Sequence, residues 1–280
     1  MKIDGWKYYN RAAIPTTPPH TAPDMTPITD GRIWQIDGGK PLLVRYTSDY
    51  DCADATEFWY VVKDTPLDLS ALKAKRRYEI NKGLKNFDVL PIDPTLYGEA
   101  LYEVQQAAFS AYPAKYRPRL DRDAFLTGLG GWTDCTVYGA FSREDGRLAG
   151  YSILENERDG YADFSVQKTD PAYESKGLSA ALVAGMLEDK RELLLRGGYI
   201  CDGARSISHE TAFQDYLEKY FGFRKAYCRL ELVYRPPVRL CVALLFPFRS
   251  LLRRLDSVGA IHRINGVLTM EAIRRGKRIP

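Results

Sequence analysis

Asp170-Pro171-Ala172-Tyr173-Glu174-Ser175-Lys176-Gly177-Leu178-Ser179 is the stretch on which the fold turns. Before it, Tyr161-Ala162-Asp163-Phe164-Ser165-Val166 reads as a strand. After it, Leu178, Leu182, Met186 and Leu193 recur at helical spacing, which predicts a helix to about Leu195, ended by Arg196-Gly197-Gly198. Gly177 stands at the junction, where the missing side chain lets another backbone or a ligand come close. The head of a helix carries unpaired N–H groups and the positive end of the dipole, so this loop suits a phosphate, with Lys176 as an added point charge. A glycine there would equally serve only to start a helix against a sheet.

Toward the C-terminus, Tyr199 to Gly203 reads as a strand, His209 to Tyr220 as an amphipathic helix closed by Gly222-Phe223, and Lys225 to Tyr227 and Arg229 to Tyr234 as two last strands. Toward the N-terminus, Cys135 to Phe141, Leu148 to Glu155 and the Tyr161 strand form a meander with turns at Glu144-Asp145-Gly146-Arg147 and Asp159-Gly160. Ahead of these lie a strand from Phe87 to Ile92, a helix from Thr95 to Phe109 and a short helix from Arg122 to Leu129. The order is β, α, α, β, β, β, α, β, α, β, β, which predicts an α+β, three-layer α/β/α domain with a mixed sheet. No Gly-x-Gly-x-x-Gly follows an early strand, so a dinucleotide-binding fold is excluded.

The first thirty residues, with prolines at 15, 18 and 19, read as an irregular arm or fixed loop. Arg32 to Ile36, the turn Asp37-Gly38-Gly39 and Pro41 to Tyr46 suggest a hairpin, and Glu57 to Val62 another strand. A helix is expected from Ser70 to Asn81, with Gly83 ending or interrupting it. Its bases face water or, with Arg76 and Arg77 the first candidates, meet substrate phosphates.

Hydrophobic residues make up 45% and charged residues 27% of the 280, ordinary values for a globular chain. The net charge of +4 is uneven: from Pro236 onward nine basic residues face only Asp256 and Glu271. The run from Val238 to Arg254 combines apolar mass with arginines and is broken by Pro247. It suits a peripheral membrane contact, docking on the chain itself, or a homodimer contact. It is too short to span a bilayer, and no signal peptide is seen. Cytoplasmic placement is expected, with the inner membrane surface within reach. Five cysteines without metal-ligand spacing read as buried thiols, and no metal site is expected.

The element order and the 174–179 loop resemble the Gcn5-related N-acetyltransferase (GNAT) superfamily. The resemblance implies a strand splayed from its neighbour and a loop at the next helix that holds coenzyme A pyrophosphate, here Val166, Gln167, Lys176, Gly177, Leu178 and Ser179. Glu174 stands where that family has Arg or Gln, and Ser179 replaces a second Gly or Ala. His209, Ala212, Tyr216 and Gly222-Phe223 resemble the family's next helix, and imply Tyr216, then Tyr220, as general acid toward the leaving group. Asp68 to Lys85 is similar to the joining segment of the FemABX aminoacyltransferases, whose donor is aminoacyl-tRNA.

Acyl transfer requires a base and a polarised carbonyl. The candidate bases are Asp163, Glu155 and His209. Three parts are expected: a partial GNAT-like domain over 1–87, the acyltransferase domain over 88–235, and a basic helical tail over 236–280. The expected activity is transfer of an acyl or aminoacyl group, from acyl-coenzyme A or aminoacyl-tRNA, to an amine or hydroxyl of a small molecule, sugar, glycan or envelope precursor. The alternative is a GNAT-derived binding or scaffold protein without cofactor.

Overall fold

The computed structural model describes residues 1–112, 117–158, 160–207 and 212–277. Along the chain come β1 (Trp6–Tyr9), β2 (Ala12–Pro15), α1 (Thr26–Thr29), β3 (Leu43–Ser48), β4 (Trp59–Lys63), α2 (Ala74–Asn86), β5 (Phe87–Ile92), α3 (Gly98–Ser110) and α4 (Arg122–Gly128). Then follow β6 (Cys135–Ser142), β7 (Leu148–Arg158), β8 (Tyr161–Thr169), α5 (Pro171–Glu174), α6 (Leu178–Asp189), α7 (Arg191–Leu195), β9 (Tyr199–Ala204), α8 (Ala212–Phe221), β10 (Arg224–Tyr227) and β11 (Arg229–Tyr234). The end is helical: α9 (Pro236–Leu245), α10 (Arg249–Arg253) and α11 (Gly259–Arg274). Central mixed sheets flanked by helices give the α/β/α architecture that the element order predicts.

Two compact units share the chain: Met1–Tyr60 with Ala204–Thr211 and Lys225–Pro280, and Val61–Gly203 with Ala212–Arg224. The first contains a four-stranded sheet in the order β1-β2-β3-β11. Asn10 and Arg11, both at positive φ, turn β1 into β2, so Trp6 to Pro15 is a hairpin and not irregular, while Pro18 and Pro19 follow it outside any helix or strand. Arg32–Gln35 is a 3-10 turn, not a strand. The Asp30 carboxylate accepts from the Arg32 backbone N–H at 2.9 Å and starts that turn. Ile33 within it and Ile36 just after it are buried, a spacing of three that a strand cannot put on one face. The core of this unit joins Leu43, Phe58, Cys228, Leu230 and Leu232 with Ile273 of α11.

The seven-stranded sheet runs β10-β4-β9-β8-β7-β6-β5. Strands β5 to β8 pair with one another antiparallel, and β9 lies parallel to β8. One core of the second unit joins α6 to the sheet through Leu178, Ala181 and Leu182 against Phe87 and Ala140. Another joins α3 through Leu101 and Val104 to Val137 and Ile153. Val137 and Ala140 have opposite parity on β6, so the two helices cover opposite faces. Helix α6 is buried nearly all round because α2 packs on its outer side. The two helices meet at glycines: a Cβ on Gly83 would lie 2.3 Å from the Gly177 carbonyl oxygen and 2.9 Å from the Ala181 nitrogen. Gly83 therefore continues α2 where an end or interruption was expected.

Candidate functional site

Strand β8 follows β9 for three residues only, Tyr161 with Tyr199, Ala162 with Ile200 and Asp163 with Cys201. Beyond Asp163 the two strands part. On its other edge β8 carries a bulge: Ile153 of β7 pairs with Val166 and Leu154 with Phe164, leaving Ser165 as the extra residue. The Ser165 hydroxyl donates to the Ile153 carbonyl at 3.4 Å. The bulge and the lost pairing leave β8 backbone between Phe164 and Gln167 outside any ladder on the β9 side, where it can meet a carbonyl or amide.

A cavity of about 660 Å³ fills the opening. Phe164, Ser165, Val166 and Gln167 form one wall, and Gly177, Ser179 and Ala180 at the head of α6 another. Asp202 of β9 and Phe213, Tyr216 and Tyr220 of α8 close it, with Glu79 of α2 and Glu174 at its edge. The Gln167 Oε1 is buried without a hydrogen-bond partner among the described residues.

Asp202 is the most perturbed acid here. Burial pushes its carboxyl up to about 7; the hydrogen bond from Gln214 works against that rise and the charge of Asp163 adds to it. The Tyr216 ring lies tilted against that of Tyr220, centroids 5.0 Å apart, and edge-on to that of Phe221 at 5.5 Å. Burial, then the charges of Glu174, Tyr220 and Glu79, push its phenol above the ordinary tyrosine range, so it stays protonated and can donate. Glu174 Oε1 accepts from the Ser179 hydroxyl at 2.9 Å. Glu79, Glu174 and Asp202 put three carboxyl groups around the cavity, and its lining holds no lysine or arginine among the described residues.

No family model matches, and no curated protein matches. Among solved structures, an L-PGS from Bacillus licheniformis aligns over 89% of this chain and 85% of its own, with a TM-score of 0.50 and 12% identity. The chain is similar to it in fold. The C-terminal domain of a putative lysylphosphatidylglycerol synthetase from Agrobacterium fabrum gives a TM-score of 0.48, 12% identity and coverage of 86% and 84%. A PaiA N-acetyltransferase from Thermoplasma acidophilum, in complex with coenzyme A, covers 40% of this chain and 74% of its own, with a TM-score of 0.30 and 19% identity.

Of the residues expected from sequence, Val166, Gln167, Gly177, Ser179 and Tyr216 line the cavity. Lys176 does not: it pairs with Glu144, over the Tyr173 ring at 5.3 Å. Leu178 is wholly buried in the core under α6. Gly177 has a φ of 86°, and a Cβ there would sit 2.9 Å from the Gly83 nitrogen, so its freedom is spent on α2. Asp163 ends the stretch of β8 that pairs with β9, outside the lining. Glu155 is exposed near Cys135, whose thiol is raised by burial first and by that carboxylate next. His209 lies outside the described residues. Arg76 stands 5.9 Å from the Tyr220 ring, at the rim, while Arg77 is exposed.

Sequence reading missed Asp202, Glu79 and Phe213. Asp202 carried a faint signal: it follows three apolar residues of a strand, where an acid inside a sheet needs a reason.

Proposed function

We propose that the chain is an acyltransferase which moves an aminoacyl group, or another acyl group bearing an amine, onto an amine or hydroxyl of a sugar or envelope precursor. The observation that carries this reading is Asp202, a carboxyl raised to about 7 beside a protonated Tyr216 at the mouth of the splayed strand. In the reaction the acceptor nitrogen or oxygen attacks the donor carbonyl and gives its proton to ionised Asp202. Backbone N–H groups of the bulged β8 segment stabilise the oxyanion. The bond from the carbonyl carbon to the leaving oxygen or sulfur then breaks, and Tyr216 supplies the proton to that atom. Solvent then takes the proton from Asp202 and returns one to Tyr216, restoring the starting state.

Choice of donor rests on charge. The carboxyl groups of Glu79 and Glu174, joined by Asp202 once it is ionised, repel a pyrophosphate and attract the ammonium of an aminoacyl ester. Aminoacyl-tRNA is therefore favoured over acyl-coenzyme A, with Arg76 at the rim available to a phosphate of the tRNA end. The acceptor is placed in the cytoplasm, against the inner face of the membrane.

The test is transfer of label from a charged tRNA pool, and separately from labelled acyl-coenzyme A, to envelope extracts. The expected result is label transfer from the tRNA pool, lost in Asp202→Asn and Tyr216→Phe proteins that still fold. Transfer from acyl-coenzyme A alone would overturn the donor assignment. Absence of transfer from either donor, with the fold intact, would favour the cofactor-free scaffold.

A further inference from the structure

We infer that the outer face of the α9–α10 segment is a docking surface for an anionic lipid bilayer. The inner face of this segment is already used: Val242 and Phe246 pack on Leu268 and Ala272 of α11. The outer face is apolar and open. Leu240, Leu244, Phe248, Leu251, Leu255 and Val258 are each between 48% and 63% exposed. They recur at intervals of four, four, three, four and three residues, the spacing of a single helical stripe. Pro247 falls in the short 3-10 turn Phe246–Phe248, where the stripe bends without leaving the surface.

Charge decides between the occupants such a stripe could have. From Pro236 to Leu255 there are four arginines and no acidic residue. Arg239, Arg253 and Arg254 are exposed beside the stripe. A second copy of this chain meeting it about a two-fold axis would set four arginines against four, and Asp256, the one acidic residue from Pro236 to Val258, is already engaged by His262 and Arg253. A bilayer with anionic headgroups answers both features at once: acyl chains take the leucines and phenylalanine, and headgroups take the guanidinium groups. No helix among the described residues is long and apolar enough to cross a membrane, so the contact is one of lying on the surface. The inference gives a surface to the membrane-side placement proposed above. It is tested without any transfer reaction, so the two stand or fall separately.

The experiment is flotation of the full chain with vesicles of phosphatidylserine mixed with phosphatidylcholine, and with phosphatidylcholine alone. Partition to the anionic vesicles is expected to be about tenfold or more the stronger, and to fall with added salt. The variant Leu240→Ser/Leu244→Ser/Phe248→Ser should lose flotation, and Arg253→Gln/Arg254→Gln should weaken it about tenfold on anionic vesicles. All five side chains are exposed or at the rim, so near-ultraviolet circular dichroism should match the parent. Failure to float, equal binding to both vesicles, or flotation that survives the triple serine variant would each overturn the inference. So would a dimer in light scattering that the serine variant alone converts to monomer.

Discussion

Asp202 sits on a strand whose preceding residues are buried, at the point where the neighbouring strand has turned away. Its folded carboxyl holds a proton to about 7, well above the 3.8 of an unperturbed aspartate. The stability it contributes is therefore complete below the unfolded value and is lost as pH rises through about 7. Between about pH 5 and about pH 8 the loss amounts to about 2–3 kcal/mol. Asp202→Asn should abolish that slope in urea unfolding at the two pH values, and so be the more stable protein at the higher one. The same substitution should lower transfer about a hundredfold or more and remove the limb near 7 from the pH–rate profile. Tyr216→Phe keeps the ring contacts with Tyr220 and Phe221, so thermal unfolding should hardly move while turnover falls about a hundredfold. Were turnover unchanged in both variants, the acid–base assignment would be wrong.

At the scale of elements, the junction of α2 with α6 carries the next expectation. Gly83→Ala would gain up to about 1 kcal/mol of helix propensity. It would also drive a methyl to 2.3 Å from a backbone oxygen, which no rotamer can relieve. Overpacking of that kind costs about 1–3 kcal/mol, so the net change should be destabilising, read as a lower urea midpoint with unchanged slope. Gly177→Ala should do worse, adding about 1–2 kcal/mol of left-handed strain. A bulky residue at Gly177 therefore reports on folding before it reports on any ligand. The elements themselves were largely legible: the meander, the helix after Gly177 and the strand at Tyr199 follow from periodicity and turn residues. What escaped was set by distant partners. Nothing local in Phe164-Ser165-Val166 announces a bulge, because the bulge is a mismatch with β7. Nothing in Ile80-Asn81-Lys82-Gly83 announces that α6 will cross there. The cavity's acids come from α2, α5 and β9, three segments that only the fold brings together.

At the scale of the whole chain, the compact units are discontinuous in sequence and the C-terminal helices pack into the first of them. Glu271 of α11 shows how firmly. Its side chain is 1% exposed, and it accepts from the Tyr234 hydroxyl at 2.9 Å, from Arg274 at 2.8 Å and from Arg275 at 2.6 Å. Burial alone would raise this carboxyl; the hydrogen bonds from Arg274, Arg275 and Tyr234 outweigh it and hold it below its usual range. A depressed value contributes stability that is present at neutral pH and is lost as acid protonates the folded form. Glu271→Ala leaves Tyr234 and two arginines without their acceptor and should cost about 3–5 kcal/mol. Ile273→Ala, which empties a place beside Leu43, Phe58 and Leu230, should cost about 2–5 kcal/mol. Removing the chain beyond Val258 takes both residues together with Leu268 and Ala272, and is expected to leave the first unit without a closed core. The readout is near-ultraviolet circular dichroism with dye binding to exposed apolar surface. A truncated protein with an unchanged spectrum and midpoint would show that α11 is an appendage after all.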